Sequence, residues 1–494
     1  MNTPEARGPH LPSPATAYQS VPGRRVALQR WLAVGIIGLG VSIGPLDTAV
    51  NIAFPAITAA FAIPVTTIQW VVICYVLTYA SLLLGCGRLS DVIGHKQVFL
   101  IGLGWSAISL WLCGRAPTFG WFLFFRGLQG IGTALVLSCG PALATLAFPE
   151  SARSKVLGVY TMLSAVASTL GPLVGGQVVA LWGWPAVYYF RVPVALLSAV
   201  LVGLLVQQPV AVQPGQRFDG LGAATLTLAI AGLLLIFNRG PQLSWWVLLL
   251  LLGTAGVCLG FFIWHERRLR EPVLDLGLFR HAAFTIANLA HVLLHVASFT
   301  VLLLGPYYLL TYYQASVLTG GVLLAMSPLG TMVAAPLGGR LVAAIPAWQL
   351  SVCGAGLAAL GLFGISYWHV HTALLLIVGM LWVQGFGLGL FQVANMDFVM
   401  GVIPRHQQGV AGSLTMLTRT IGVVGGATLG ARIFGLLQPY YTTQLQAMAG
   451  TSGEIATQAF MLAFRGTFWL AAVIAALAGV LMWGSRFAAQ RDVE

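Results

Sequence analysis

Residues 31–57 read WLAVGIIGLGVSIGPLDTAVNIAFPAI, a mostly apolar run interrupted by Asp47, Asn51 and two prolines, Pro45 and Pro55. The run is long enough to cross a bilayer as a helix, and the prolines mark a place for a bend. A carboxylate inside such a helix costs at least a few kcal/mol to insert. It persists there only by facing protein or water, by pairing with a cation, or by taking up a proton. Each of these options points to a transport pathway. Asp47 is therefore the first candidate for a working residue.

The composition agrees. Of 494 residues, 58% are hydrophobic and 7% charged, against roughly 25% charged in a soluble protein. So few charges cannot cover a water-facing surface, and the chain reads as an all-α polytopic protein of the lipid bilayer. Its net charge of +12 is scattered over short loops and forms no basic domain. That distribution argues against nucleic acid as a partner and reads as membrane topology. The six cysteines fall within apolar segments without disulfide or metal-ligand spacing and read as small packing residues; no cofactor is expected. No nucleophile–base constellation and no large extramembrane domain is visible, which speaks against an enzyme. No phosphate-binding loop of the form G-x-x-x-x-G-K-[ST] is present either, which speaks against ATP drive.

Residues 1–27 lack apolar periodicity and read as a disordered cytoplasmic tail. Fourteen apolar spans then follow, near 29–57, 66–86, 97–114, 119–146, 155–181, 186–206, 219–238, 244–265, 283–312, 317–338, 347–368, 371–399, 408–436 and 463–484. With the amino terminus inside, seventeen basic residues fall in inner segments, among them Arg24, Arg88, Arg153 and Arg267, against Arg115 and Arg239 outside. That bias places both termini in the cytoplasm. Two connectors, 207–220 and 265–280, bracket spans seven and eight, whose middles hold almost no polar residues. The expected architecture is a six-helix bundle at 28–206, a linker with two extra helices at 207–282, a second six-helix bundle at 283–484, and a cytoplasmic tail at 485–494.

Four motifs then point to a family. Gly87-Arg88-Leu89-Ser90-Asp91-Val92-Ile93-Gly94-His95-Lys96 resembles the G-x-L-[AS]-D-x-x-G-[RK]-[RK] loop of the major facilitator superfamily. Arg126-Gly127-Leu128-Gln129-Gly130-Ile131-Gly132 is similar to its R-x-x-x-G-x-G element, and Gly171-Pro172-Leu173-Val174-Gly175-Gly176 to the G-P-x-x-G-G element of its antiporters. Asp47 to Pro55 resembles the D-x-T-x-x-N-x-A-x-P stretch of the fourteen-span drug/proton antiporters. In that pattern the aspartate lies one position further from the asparagine, a shift of about 100° around a helix. His95 stands where the family usually has arginine, and the sister loop Pro336 to Leu341 lacks the aspartate. The resemblance covers about residues 29–484. It implies a proton-coupled secondary transporter of the bacterial inner membrane, a monomer exporting hydrophobic or amphipathic small molecules. Import of a small metabolite on the same fold is the alternative, and a periplasmic adaptor protein is an open partner.

The motif residues have physical roles to match. Gly87 and Gly94 suit a tight turn, and by resemblance Gly87, Asp91, Gly94 and Lys96 form a gating latch against the helix that begins near Gln408. Arg126 lies ~8–11 Å below the outer boundary and Asp47 ~6 Å below it, close enough in depth to pair. Separating or joining them would change proton affinity, so Asp47 and Arg126 are the proton-coupling candidates, with a purely structural pair as the alternative. Gly171, Pro172, Gly175 and Gly176 remove side chains and one backbone donor, giving either an antiporter bend or tight helix packing. Asn288, His291, His295 and Ser298 share one helical face, which reads as cavity lining, with hydrogen-bonded core histidines as the alternative. The i, i+4 spacing of the histidines also suits a metal, but no carboxylate or cysteine nearby completes a site. The substrate-binding candidates are Asn51, Tyr75, Asn288, His291, His295, Gln384, Gln392 and Arg419, with Arg191 and Asn395 as further cavity candidates. Asp397 lies near the cytoplasmic end of its span and ranks below Asp47.

Overall fold

A computed structural model describes residues 24–145, 148, 152–206, 244–266, 278, 281–403, 408–446 and 452–491, with scattered positions between 221 and 236. Helices account for nearly all of it, and thirteen are long and apolar enough to cross a membrane among the described residues. The seventh expected span, at 219–238, lies outside the described residues apart from isolated helical positions. Residues 1–23 and most of both connectors lie outside them as well.

The first span is not one helix. Helix α1 (Arg24–Val41) begins inside the segment expected to be a tail. It stops four residues before Pro45, because proline has no N–H to offer the carbonyl of Val41. A 3-10 turn follows at Pro45–Thr48, then two short helices, α2 (Ala49–Ile52) and α3 (Phe54–Ala60), separated at Ala53 just ahead of Pro55. The bend expected from sequence is thus a double break. Asp47 sits in the 3-10 turn, where the 100° offset of a regular helix does not apply.

The rest of the first half is α4 (Gln69–Ile93), α5 (His95–Gly114), α6 (Phe119–Thr145), α7 (Arg153–Trp182), α8 (Ala186–Tyr189) and α9 (Arg191–Leu205). The turn between α4 and α5 is a single residue, Gly94, with φ of 114°. Gly87, expected to help make that turn, is instead helical within α4. Lys96 Nζ donates to the carbonyl of Gly203 at 2.9 Å, near the carboxyl end of α9, where a cation suits the helix dipole. The side chain of Asp91 and the residues just before Gln408 lie outside the described set, and with them the expected latch.

One inserted helix, α10 (Trp245–Glu266), presents Trp245, Trp246, Leu250 and Val257 outward, as a lipid-facing helix should. The second half comprises α11 (Ala282–Tyr307), α12 (Val317–Leu324), α13 (Met326–Leu341), α14 (Ala347–Ser366), α15 (Leu374–Val402), α16 (Gln408–Gln446) and α17 (Ser452–Arg491). Helix α16 has 39 residues and α17 has 40. At ~1.5 Å per residue both outrun a ~30 Å bilayer core. Helix α16 runs on to Gln446, past the apolar boundary expected at 436. Helix α17 starts at Ser452, ahead of the boundary expected at 463, and takes in most of the expected carboxyl-terminal tail.

The two halves touch at the ends that the positive-inside bias places outside. Thr58 near the end of α3 hydrogen-bonds the Tyr307 hydroxyl of α11. A Cβ on Gly435 of α16 would lie 2.8 Å from the Thr66 side chain. On α7, a Cβ at Gly176 would come 2.9 Å from the carbonyl of Val317 and 3.1 Å from the Cα of Gly321. Backbone meets backbone there, so no side chain can yield. Overpacking of this kind costs about 1–3 kcal/mol. Gly321→Val is therefore expected to pry the outer ends apart. In a cysteine-free background, Thr58→Cys should then react faster with a membrane-impermeant maleimide than it does beside Gly321.

Candidate functional site: a buried ion cluster

Two helices, α6 and α9, converge on the Asp47 carboxylate. Arg126 of α6 grips its carboxylate with both terminal nitrogens, Nη1 to Oδ1 at 2.8 Å and Nη2 to Oδ2 at 2.8 Å. Arg191, the first residue of α9, donates from Nη1 to Oδ1 at 2.7 Å. Gln129, one turn beyond Arg126, donates from Nε2 to Oδ1 at 3.1 Å. The guanidiniums are anchored in turn: Arg126 Nε binds the carbonyl of Val71 at 2.8 Å, and Arg191 Nε binds that of Val187 at 2.9 Å. Bidentate geometry and charge assistance place the Arg126–Asp47 contacts among the strong class of protein hydrogen bonds. Both arginines are fully buried, whereas the Asp47 side chain keeps 14% of its surface exposed.

Aromatic faces complete the enclosure. The Tyr75 ring lies 4.4 Å from the Arg126 guanidinium, and Tyr188 lies 5.9 Å from Arg126 and 5.3 Å from Arg191. Beyond Tyr188, Phe61, Phe119, Phe122 and Trp184 pack with centroids 5.4–6.4 Å apart. This plug separates the ion cluster from the outer end. Two cations face one anion, and Arg191 Nη2 and the Tyr188 hydroxyl are buried without hydrogen-bond partners among the described residues.

Local chain geometry explains the convergence. The 3-10 turn is tied to α7 through Thr48, whose Oγ1 contacts the carbonyls of Pro45 and Ser168, each at 3.0 Å. Asp47, its neighbour, is left to face α6 and α9. Gly171 and Gly175 let α7 press on this turn: a Cβ at Gly175 would sit 2.9 Å from the carbonyl of Ala49, and one at Gly171 would strike Thr48. Helix α7 runs unbroken through Pro172. The G-P-x-x-G-G element therefore has one face on the Asp47 turn and, through Gly176, another on the second half.

A second polar cluster occupies the other half. His295 Nδ1 pairs with the carbonyl of His291 at 2.8 Å, leaving Nε2 to accept from Gln392 Nε2 at 3.0 Å. His291 Nδ1 meets Thr418 Oγ1 at 3.3 Å, and Thr418 donates to Asn288 Oδ1 at 3.1 Å. Gln384 is used elsewhere, accepting from Ser327 at 2.7 Å. Asn51, Tyr75 and Gln384 are buried, and so are Asn288, His291 and His295, whereas Arg419 is exposed and Gln392 half-buried. Asn395 is buried with both amide atoms unpartnered among the described residues, and Asp397 is exposed. Sequence reasoning pairs Asp47 with Arg126 and leaves Arg191 among the cavity candidates. It misses Gln129 and Tyr188, although Gln129 follows Arg126 by the three residues that put both on one helix face.

Residues 30–277 match the family profile described as Major Facilitator Superfamily. The multidrug resistance protein Stp of Mycobacterium tuberculosis is 31% identical over 414 residues, 82% of this chain and 76% of that protein. The chain belongs to the major facilitator superfamily. The riboflavin transporter RibZ of Clostridioides difficile is 25% identical over 448 residues, 90% of this chain and 95% of RibZ. A solved bacterial homologue of the human lysosomal transporter Spinster, inward-facing and unoccupied, superposes with a TM-score of 0.70 at 15% identity. The match covers 94% of this chain and 98% of that one. As a member of this superfamily the protein is a multi-pass membrane transporter of small molecules, not an enzyme.

The cluster's charge balance has a direct consequence. Asp47→Asn leaves two buried guanidiniums facing a neutral amide, a loss of about 3–5 kcal/mol for a broken buried pair. The purified variant should melt earlier than wild type. Adding Arg191→Leu should recover part of that loss, since one uncompensated cation is then gone. Additive destabilisation in the double variant would show that Arg191 and Asp47 do not depend on each other.

Proposed function

We propose that this protein is a proton-coupled exporter of hydrophobic or amphipathic small molecules, working by alternating access as a monomer in a bacterial inner membrane. The observation that carries the reading is the Asp47 carboxylate, deep in a span, held by two arginines yet not sealed off. While two guanidiniums bear on it the carboxylate is held as the anion, and it takes up a proton readily once a guanidinium withdraws. Proton exchange is thereby tied to a change in the spacing of α6 and α9 about the broken first span.

The route by which the second half drives that change is short. Gly321 of α12 bears on Gly176 and on the Pro172 carbonyl of α7, while Gly171 and Gly175 of α7 bear on Thr48 and Ala49. Rocking of the halves moves α12 against α7, and α7 is the wall on which the Asp47 turn rests. Arg419 and Gln392 form the substrate face in this reading, and the buried Asn288, His291, His295, Asn51, Tyr75 and Gln384 support it from behind. Relatives named for drug resistance and export support the outward direction, among them the tetracenomycin C resistance and export protein of Streptomyces glaucescens, 28% identical over 412 residues.

The relationship to a riboflavin transporter favours a second reading, passage of a metabolite on the same fold without export. Everted vesicles separate the two. With an imposed inside-acid gradient, wild-type vesicles should accumulate a transported dye and release it when the gradient is collapsed. Asp47→Asn vesicles holding equal amounts of inserted protein should accumulate at least about tenfold less. Accumulation that ignores the gradient, or wild-type rates in Asp47→Asn, would remove proton exchange at Asp47 from the mechanism.

A further inference from the structure

We infer that the compound this transporter binds is an organic anion, with its acidic group received by Arg419 at the interface of the two halves. The inference deepens the substrate side of the proposed function and rests on that reading for its transport step alone.

Arg419 stands eleven residues into α16, at ~1.5 Å per residue about 16 Å from the inner end and near the middle of a ~30 Å core. From that depth an arginine cannot snorkel to either surface. Its side chain is nevertheless exposed. A guanidinium turned toward lipid at mid-depth is heavily disfavoured, so an exposed one there faces a water-filled path. The neighbours agree. Arg419 lies within electrostatic range of Tyr79 on α4 and of His291 and His295 on α11, groups from both halves. It makes no ion pair among the described residues.

No acid among those residues offsets that charge. Asp47 is already shared between Arg126 and Arg191, and that cluster itself carries one cation in excess. Asp397 lies five residues from the inner end of α15, ~8 Å along its axis against ~16 Å for Arg419, and Glu454 lies in the first turn of α17; no ion pair joins either to Arg419 among the described residues. The histidines are hydrogen-bonded to Gln392, Thr418 and the His291 carbonyl and offer no negative charge.

The cavity wall around Arg419 is therefore basic, and it repels a cationic guest while it attracts a carboxylate or sulfonate. An aromatic platform lies beside it: Tyr79 packs against Tyr75 with ring centroids 5.3 Å apart, and Tyr75 covers Arg126. A planar ring carrying one acidic group fits this arrangement, the ring on Tyr79 and the acid on the guanidinium.

A matched pair of probes tests the assignment on the full-length purified protein, with pyrenebutyrate as the anion and pyrenebutylammonium as the cation. Binding is read by energy transfer from the protein's tryptophans, with no pH gradient present. Wild type should bind the anion at least about tenfold tighter than the cation. Arg419→Gln should weaken anion binding about ten- to a hundredfold, the worth of one charge-assisted hydrogen bond, while Arg419→Lys should keep the preference. Equal or reversed preference in wild type, no binding of either probe, or a preference that survives Arg419→Gln overturns the inference. Because no gradient is involved, anion binding without proton-driven transport would refute the proposed function and leave this inference standing. Gradient-driven transport of pyrenebutylammonium with no anion preference would do the reverse.

Discussion

The structure depends on one unequal charge balance: a single carboxylate, Asp47, compensates two fully buried guanidiniums. A buried charge is tolerated when it is paired and its remaining hydrogen-bonding groups are satisfied. Arg126 meets that condition through Asp47, Gln129 and the Val71 carbonyl. Arg191 meets it only in part, with Nη2 left over. The cluster thus ties α6, α9 and the broken first span into one unit, and any step that weakens Asp47 as an acceptor strains both arginines together.

That unit is mechanically connected to the rest of the transporter by missing side chains. Gly171 and Gly175 bring α7 against the turn that carries Asp47, and Gly176 brings the same helix against Gly321 of the second half. Close-packed backbones transmit displacement, because nothing between them can change rotamer and absorb it. The G-P-x-x-G-G element is thus a packing surface on two sides, the Asp47 turn on one and Gly321 on the other.

The two halves solve the problem of buried polarity differently. In the first, full charges are brought together beneath a plug of aromatic rings. In the second, side chains are linked by hydrogen bonds from Asn288 through Thr418 to His291, and from Gln392 to His295. Arg419 belongs to neither arrangement, and its exposure at mid-depth gives the interface its positive character.

Much of this was legible in the sequence. Helix ends expected at 97–114, 119–146 and 186–206 fall within two residues of those observed, because apolar length and flanking charges fix where a chain enters and leaves a bilayer. The depth match of Asp47 and Arg126 was legible too, since rise per residue is constant along a helix. The 3-10 turn that carries Asp47 was not, because it involves Pro45 and the Thr48 contact to α7 together. Nor was the assignment of Arg191, a span-six residue 144 positions away, to the same carboxylate. Hydropathy and periodicity report how each segment meets lipid, one helix at a time, and so they determined the spans and singled out the acid, while the family was read from the resemblance of four motifs. Which helices face one another, and therefore which cations share that acid and which one is left bare, is set by packing between distant segments, and only the tertiary structure decided it.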